Sequence, residues 1–423
     1  MTEATTPQTV LSPVRRADRY DSLDLVRGFA VLGILAVNAM VFFWPHAVST
    51  IPSLQPGWDA DAGWQVMDVF FRDKMRTLFS ILFGVSIFLV GGQRADKDRG
   101  KLLRSRLFWL AVFGAVHGAA FWFGDILLLY AATGFVVMLM RSWSARTLLS
   151  VGIPLYLLFA GLYYALFAAL SFAPPEQMEA SMAQSGFTMT AEQLRAAVAA
   201  YQGDALSVTA HQFGEWLGIV PFMVLGFMPM TVSLMLIGMG LFKAGFLAGR
   251  SPTWVYGLSV AVAAGCLWLI WGETSAILAG GFEFVPSMTR PAATFLVPLV
   301  SLGYASVLIL LLKFGLKALL HPLISAGRMA FTNYLTQTLI MTTIAYGGRG
   351  LGWYGEIGWP EMWQLIGAIW VVQLIWSPIW LHVFRMGPIE WIWRSLTYGR
   401  VQPFRATPAF ERRGPIEAEQ ALG

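Results

Sequence analysis

Long apolar stretches, each bounded by short polar or basic segments, recur from residue 23 to residue 384. A helix crosses the hydrocarbon core of a bilayer with roughly 20 apolar residues. By that measure the chain predicts about ten transmembrane helices. They lie near Leu23–Trp44, Met75–Gly92, Leu107–Phe123, Ile126–Met140, Leu148–Phe172, Trp216–Phe242, Trp254–Trp271, Ala292–Leu312, Leu323–Tyr346 and Met362–Phe384. Transmembrane strands would read as short alternating segments, and these are not seen. The expected fold class is all-α, a polytopic integral membrane helical bundle. The sixth stretch holds Pro221, Gly226, Pro229, Gly238 and Gly240 and is expected to kink or break.

Composition agrees. Hydrophobic residues are 57% and charged residues 13%, against about 25% charged in soluble domains; mean hydropathy is +0.61. A net charge of +5 and a pI of about 9.3 do not point to nucleic acid, because the basic residues sit in short loops, where they orient helices. On one side fall Arg15 to Arg27, Arg94 to Arg106, Arg141 and Arg146, Lys243 and Arg250, Lys313 to Arg328, and Arg385 onward. The other side holds Arg195, Arg290, Arg349 and the Arg72–Arg76 cluster. Both termini are therefore expected in the cytoplasm.

The chain divides into a polar, basic segment 1–22, a five-helix membrane region 23–172, an extracytoplasmic loop 173–211, a second five-helix region 212–384, and a cytoplasmic tail 385–423. The first span lacks a small-residue cleavage site and reads as an uncleaved anchor. A surface helix is expected near Ala191–Gln202, an amphipathic helix along the inner membrane surface at Pro388–Tyr398, and disorder after Phe404. The single cysteine, Cys266, allows no internal disulfide and suits packing.

Ionisable residues inside or at the rim of the spans carry the candidate chemistry. A charge in hydrocarbon costs at least a few kcal/mol, so it usually faces water or protein and marks function. His117 lies in the third span between Gly114 and Gly118, which let another backbone come close. Its imidazole suits a general base or proton carrier; a neutral histidine bonded to a neighbour explains it equally. Asp125 follows Gly124 at a tight turn, where it could cap the fourth span. A straight helix would put it roughly 12 Å from His117, so the two are expected to pair only if the hairpin bends. Tyr130 and Thr133 return toward the depth of His117.

Asp24 and Arg27 share a helical face, and Arg27 reads either as an inner anchor or as a phosphate grip at the cytoplasmic mouth. Asn38 lies late in the same span and His46 just beyond it. Arg72, Asp73, Lys74 and Arg76 form either a basic interfacial turn or a surface for an anionic outer substrate or lipid head group. Arg328, Asn333, Tyr334 and Gln337 make a polar stripe that interhelical hydrogen bonding explains. No His, Cys or carboxylate set has metal-ligand spacing, so no metal site is expected.

Several motifs together resemble a known family. Asp21-Ser22-Leu23-Asp24-Leu25-Val26-Arg27-Gly28-Phe29-Ala30 through Asn38, Leu78 to Gly84, His117 with Gly124-Asp125-Ile126-Leu127 and Tyr130, Gly327 to Tyr334, and Gly387-Pro388-Ile389-Glu390-Trp391 with Arg394 and Tyr398 look like YeiB-like bacterial membrane proteins and their domain of unknown function 418. The resemblance covers nearly all of the chain. The Leu-Asp-x-x-Arg-Gly opening with a late Asn is also similar to the lysosomal heparan glucosaminide acetyltransferases and to transmembrane acyltransferases more widely. That resemblance implies a multi-pass protein of the bacterial cytoplasmic (inner) membrane. It implies no bound cofactor, acyl-CoA as cytoplasmic co-substrate, and a sugar or envelope acceptor on the far side. Asn38 and His46 fall roughly where that family has an active-site Asn and His, with different spacing.

On this reading His117 or His46 takes the acceptor proton, Asn38 holds the thioester oxygen, and Asp125 belongs to the same catalytic set. Arg27, Arg104 and Arg106 bind the CoA phosphates. Arg72, Lys74, Tyr130 and Asn333 face the substrates. The bilayer is the constant partner, and a homo-oligomer is compatible with the sequence. The alternatives are a small-molecule transporter that lines a solute path with the same residues, favoured by the broken sixth span, and a non-catalytic envelope membrane protein.

Overall fold

The computed structural model describes residues 20–58, 62–174, 176, 188–282 and 284–405. The expectations for the N-terminal segment 1–19, for the middle of the 173–211 loop and for the end of the tail lie outside these residues.

The described chain is helical. In order it forms α1 (Asp21–Phe43), α2 (His46–Thr50), α3 (Ala62–Phe70), α4 (Lys74–Gly91), α5 (Lys97–Ala120), α6 (Leu127–Val137), α7 (Ala145–Ala169), α8 (Ala191–Gln202), α9 (Ala205–Lys243), α10 (Thr253–Ala279), α11 (Phe284–Thr289), α12 (Pro291–Lys313), α13 (Lys317–Arg328), α14 (Ala330–Ala345), α15 (Trp359–Val383) and α16 (Pro388–Tyr398). Among the described residues seven helical spans are long and apolar enough to cross a membrane. The three other expected crossings are α5, polar over its first turns, the short α6, and the pair α13–α14.

The loops sort onto two faces. On the face that the Lys/Arg asymmetry assigns to the cytoplasm, Ser22 Oγ donates to Leu247 O, Lys243 Nζ donates to the Arg141 and Trp143 carbonyls, and Ser105 Oγ donates to Thr397 O. On the opposite face Trp44 Nε1 donates to Ile357 O, Gly347 N to Tyr201 O, and Gln212 Nε2 to Gly118 O. Large side chains on α7, α9, α10 and α15 point outward: Leu166 is 64%, Leu225 75%, Trp268 75% and Ile379 64% exposed. So much contiguous apolar surface suits lipid rather than water.

Two glycine crossings bring the bundle's backbones into contact. A Cβ on Gly28 of α1 would stand 2.0 Å from Leu323 O, and one on Gly327 of α13 would stand 1.8 Å from Asp24 O. Gly84 of α4 and Gly238 of α9 meet the same way, at 2.0 Å from Met235 O and 2.1 Å from Ile81 O. Small residues take this role in membranes because close van der Waals packing, not hydrophobicity, drives helix association there.

Two expectations need correction. Of the kink or break expected in the sixth stretch, the break does not occur: α9 is one helix of 39 residues that continues through Pro221 and Pro229. At 1.5 Å per residue it is roughly 58 Å long and outreaches the bilayer. The ninth stretch is the broken one, divided at Met329 (φ −112°, ψ 25°) into α13 and α14. By contrast α8 and α16 occupy the expected Ala191–Gln202 and Pro388–Tyr398.

The outer ends of α3, α4, α10 and α12 are joined by a buried ion network. Asp68, 0% exposed, accepts from Arg290 Nη1 at 2.7 Å and from Arg290 Nη2. Arg72 Nε adds a contact at 2.9 Å, and Lys74 Nζ donates to the Asp68 carbonyl at 2.9 Å. Arg72 and Lys74 were expected to face an outer substrate. Lys74 instead is 1% exposed and consumed by this network, and Arg72 is largely tied to it. The turn between α3 and α4 puts Asp73 in the left-handed region (φ 60°), and that bend aims Lys74 back at the Asp68 carbonyl.

Removing one member of a buried ion pair strands the other and costs about 3–5 kcal/mol. Asp68→Ala and Arg290→Ala should each lower the melting temperature of the detergent-solubilised protein by several degrees. The double variant should lose less than the sum, and additive losses would show that the pair is not coupled.

Candidate active site

An inner cavity of about 320 Å³ opens between α1, α4, α5, α6, α14 and α16. Arg27, Arg106, Arg328 and Arg394 line it together with Asp24 and Glu390, toward the face that the Lys/Arg asymmetry assigns to the cytoplasm. Leu82, Phe83, Leu107, Leu110 and Phe331 wall it, and it ends at Ile126, Tyr130 and Tyr334.

Each mouth residue is placed by local structure. Arg27 Nη1 pairs with Asp24 Oδ1 at 2.7 Å, one helical turn away. The Arg106 guanidinium lies 3.8 Å over the Trp393 ring, and Trp393 Nε1 donates to Arg106 O at 3.0 Å. The break at Met329 frees the first amides of α14, and Glu390 of α16 takes them: Phe331 N and Thr332 N donate to Oε1 at 2.7 and 3.1 Å. A carboxylate at a helix N-terminus is favoured by the helix dipole. Burial still pushes the Glu390 pKa above the usual carboxylate value, against those hydrogen bonds. The tail helix is thus a wall of the cavity, seated on α5 and α14, and not simply a surface helix.

His117 lies beside the far end of the cavity. Its Nδ1 is 2.9 Å from Asp125 Oδ1, and its Nε2 is 3.0 Å from Thr338 Oγ1 of α14. Both ionisable residues are buried, at 4% and 1% exposed. The hairpin bends in the way that pairing required. α5 stops at Ala120, the amides of Phe121 and Trp122 both turn back to His117 O, and the chain reverses. Gly114 permits the closure, since a Cβ there would stand 2.4 Å from Leu128 N. Asp125 performs both roles considered for it, because its Oδ2 accepts from Leu128 N at 2.9 Å. The Tyr334 ring lies 5.4 Å from the imidazole. Its buried hydroxyl makes no hydrogen bond of normal geometry.

Tyr130 separates this cavity from the outer side. Its hydroxyl donates to Arg76 O at 3.1 Å and lies 3.3 Å from Ser80 Oγ. The Arg76 side chain pairs with Asp73 at 3.0 Å, and Asp73 is half exposed. His46 is exposed, with its ring 3.4 Å from Ser49 Oγ.

The structure therefore gathers His117, Asp125, Tyr130, Arg27 and Arg106 around one cavity and its end. It does not bring in the others. Arg104 is exposed on the opposite side of α5. Asn333 is fully buried and consumed by packing, donating to Ala326 O and Ser377 Oγ and accepting from Trp376 Nε1. Asn38 is half-buried, lies outside the cavity lining and has no hydrogen bond to a described residue. His46 likewise stands apart from the cavity. Sequence reasoning passed over Thr338, although it lies one helical turn from Tyr334, and it gave no role to Asp68 or Arg290. Among the described residues no cluster could hold a metal ion.

A multi-spanning helical membrane protein with a cation-rimmed inner cavity that ends at a buried carboxylate–imidazole pair is the class this geometry defines. The chain belongs to the DUF418 family: the signature described as "Protein of unknown function (DUF418)" matches residues 240–400. It is 31% identical over 422 residues to the uncharacterized protein YxaH of Bacillus subtilis (strain 168), covering 93% of this chain and 98% of that one. It is 29% identical over 413 residues to the uncharacterized protein YeiB of Escherichia coli (strain K12), covering 91% and 98%. No solved structure matches the chain.

Because Glu390 ties α16 to the first turn of α14, Glu390→Ala should loosen the cavity wall. Losing a charged acceptor from buried amides costs about 1.5–3 kcal/mol. The expected readouts are a lower melting temperature and greater quenching of tryptophan fluorescence as Trp393 becomes exposed; Glu390→Gln, which keeps an acceptor, should lie in between.

Proposed function

We propose that this protein is a membrane acyltransferase that draws an acyl group from acyl-CoA on the cytoplasmic side and delivers it to an envelope acceptor, a sugar hydroxyl or amine, on the far side. The observation that carries the reading is the cavity itself. It joins a mouth rimmed by Arg27, Arg106, Arg328 and Arg394 to an apolar interior, and it ends beside His117 and Asp125. Arginine matches phosphate groups well through its planar fork of donors. An apolar interior suits an acyl chain, and the volume falls at the lower end of the ligand-pocket range.

In this reading the CoA phosphates stay at the arginine rim and the thioester enters the cavity. His117 is the general base, oriented by Asp125 as in other carboxylate–imidazole pairs. Tyr130 and Tyr334 close the far end, and one of their hydroxyls is positioned to stabilise negative charge on the thioester oxygen. This replaces Asn38, which lies outside the lining. A transporter would use the same opening. It differs in needing net passage of its solute through the Tyr130 barrier.

The test is acyl-CoA turnover by the purified protein, followed as free thiol. His117→Ala should lower the rate by about 10²–10⁴-fold. Arg27→Ala and Arg106→Ala should each raise KM for acyl-CoA roughly tenfold, the equivalent of one charge-assisted hydrogen bond. No acyl-CoA binding and no thiol release with short or medium chains would sink the proposal, and solute uptake into proteoliposomes that depends on His117 would favour the transporter.

A further inference from the structure

Threonines in membrane helices normally return their hydroxyl proton to a carbonyl of the preceding turn. Along α14, Thr336 donates to Asn333 O, Thr342 to Thr338 O and Thr343 to Leu339 O. Thr338 breaks that habit: its Oγ1 lies 3.0 Å from His117 Nε2. The direction of that bond follows from the other side of the ring. The Asp125 carboxylate is an acceptor, so Nδ1 carries the ring hydrogen and Nε2 is left as an acceptor. Leu128 N donates to the second Asp125 oxygen and fixes the carboxylate. With the imidazole in its neutral form, Thr338 donates its O–H to Nε2. Carboxylate, imidazole and hydroxyl stand in the order, and at the distances, that activate a hydroxyl nucleophile.

Position adds a second argument. Thr338 lies one turn beyond Tyr334, which ends the inner cavity, and is itself 1% exposed. Tyr334 is the lining residue next to this pair, its ring 5.4 Å from the imidazole. Thr338 also occupies the only basic nitrogen that a direct acceptor would need.

Building on the acyl-transfer reading above, we propose that Thr338 is the nucleophile and carries the acyl group as an ester between donor and acceptor. Thr338 Oγ1 attacks the thioester carbonyl carbon while His117 Nε2 takes its proton. The C–S bond breaks, and His117 returns that proton to the departing sulfur as CoA thiol. In the second half the acceptor's hydroxyl or amine attacks the ester carbon, His117 takes its proton and gives it to Thr338 Oγ1, and the C–O bond to Thr338 breaks. No oxidant or metal is required, and the two substrates never occupy the buried nitrogen together.

The experiment uses the full chain in detergent with acetyl-CoA and hexanoyl-CoA and no acceptor, quenched in acid. The expected result is a burst of about one CoA per protein and an acyl mass on the peptide that contains Thr338. Thr338→Ser should keep the adduct. Thr338→Val, which preserves shape, should lose both burst and adduct and slow turnover at least ~10²-fold, with a melting temperature lowered only as far as one lost buried hydrogen bond predicts. Turnover by the wild type without an adduct overturns the Thr338 step alone, as does an undiminished rate in Thr338→Val. A wild type that releases no CoA at all overturns the acyl-transfer reading together with this step.

Discussion

Hydrocarbon offers no hydrogen bonds, so every polar group within the membrane must be satisfied by the protein or by water it admits. That constraint shapes the whole bundle. Gln337 reaches Val31 O and Gln373, Gln373 returns to Asn333 O, and Asn333 spans to Ser377, which ties α1, α14 and α15 together. Asp68 and Arg290 do the same for α3 and α12. Three buried atoms escape the rule around one place: Tyr334 Oη, Thr133 Oγ1 and Arg76 Nη1. Such exceptions call for an explanation. Tyr334 lines the end of the inner cavity, Thr133 is one turn from Tyr130, and Arg76 lies on the other side of Tyr130. Other buried atoms without a partner lie away from it, among them Trp122 Nε1, Gln212 Oε1, Tyr354 Oη and Trp359 Nε1.

Much of this was legible in the residues. Apolar run length locates seven of the ten expected crossings among the described residues, because the bilayer imposes a minimum length. The Pro388–Tyr398 amphipathic face and the Ala191–Gln202 surface helix appear at their expected bounds. The failures share a cause. Proline content in α9 suggested a break, but membrane helices tolerate proline when neighbours and water satisfy the freed groups. The ninth span breaks at Met329, where Glu390 from a distant part of the chain accepts from the exposed amides of α14. Neither outcome is encoded locally.

Roles were harder to read than positions. Lys74 and Asn333 looked like binding groups because polar side chains in membranes often are, yet both are consumed by the protein, Lys74 by Asp68 O across the adjoining turn and Asn333 by Ser377 on another helix. The opposite error concerned Thr338. One threonine among several on a helix carries no signal until His117 is seen 221 positions away in sequence. Gly114, in contrast, was read correctly as a close-approach residue; the approaching backbone is the Asp125 turn itself.

The electrostatics of the mouth and the burial of the interior act on different parts of one ligand. Four guanidinium groups face two carboxylates at the rim, and one of those carboxylates, Glu390, has its pKa raised by burial. The balance there is positive, and low-dielectric walls strengthen the field that draws an anion in. Past the rim the lining turns to leucine and phenylalanine, where a charged group would lose its hydration without recompense. A ligand that satisfies both regions is therefore amphiphilic, with its anionic part held at the rim and its apolar part inside. The far end then meets a hydroxyl from Tyr130 whose partner, Arg76 O, already belongs to the outer side. Between the cavity and Arg76 stands the Tyr130 side chain, and under the proposed acyl transfer only a small group, not the whole ligand, passes it.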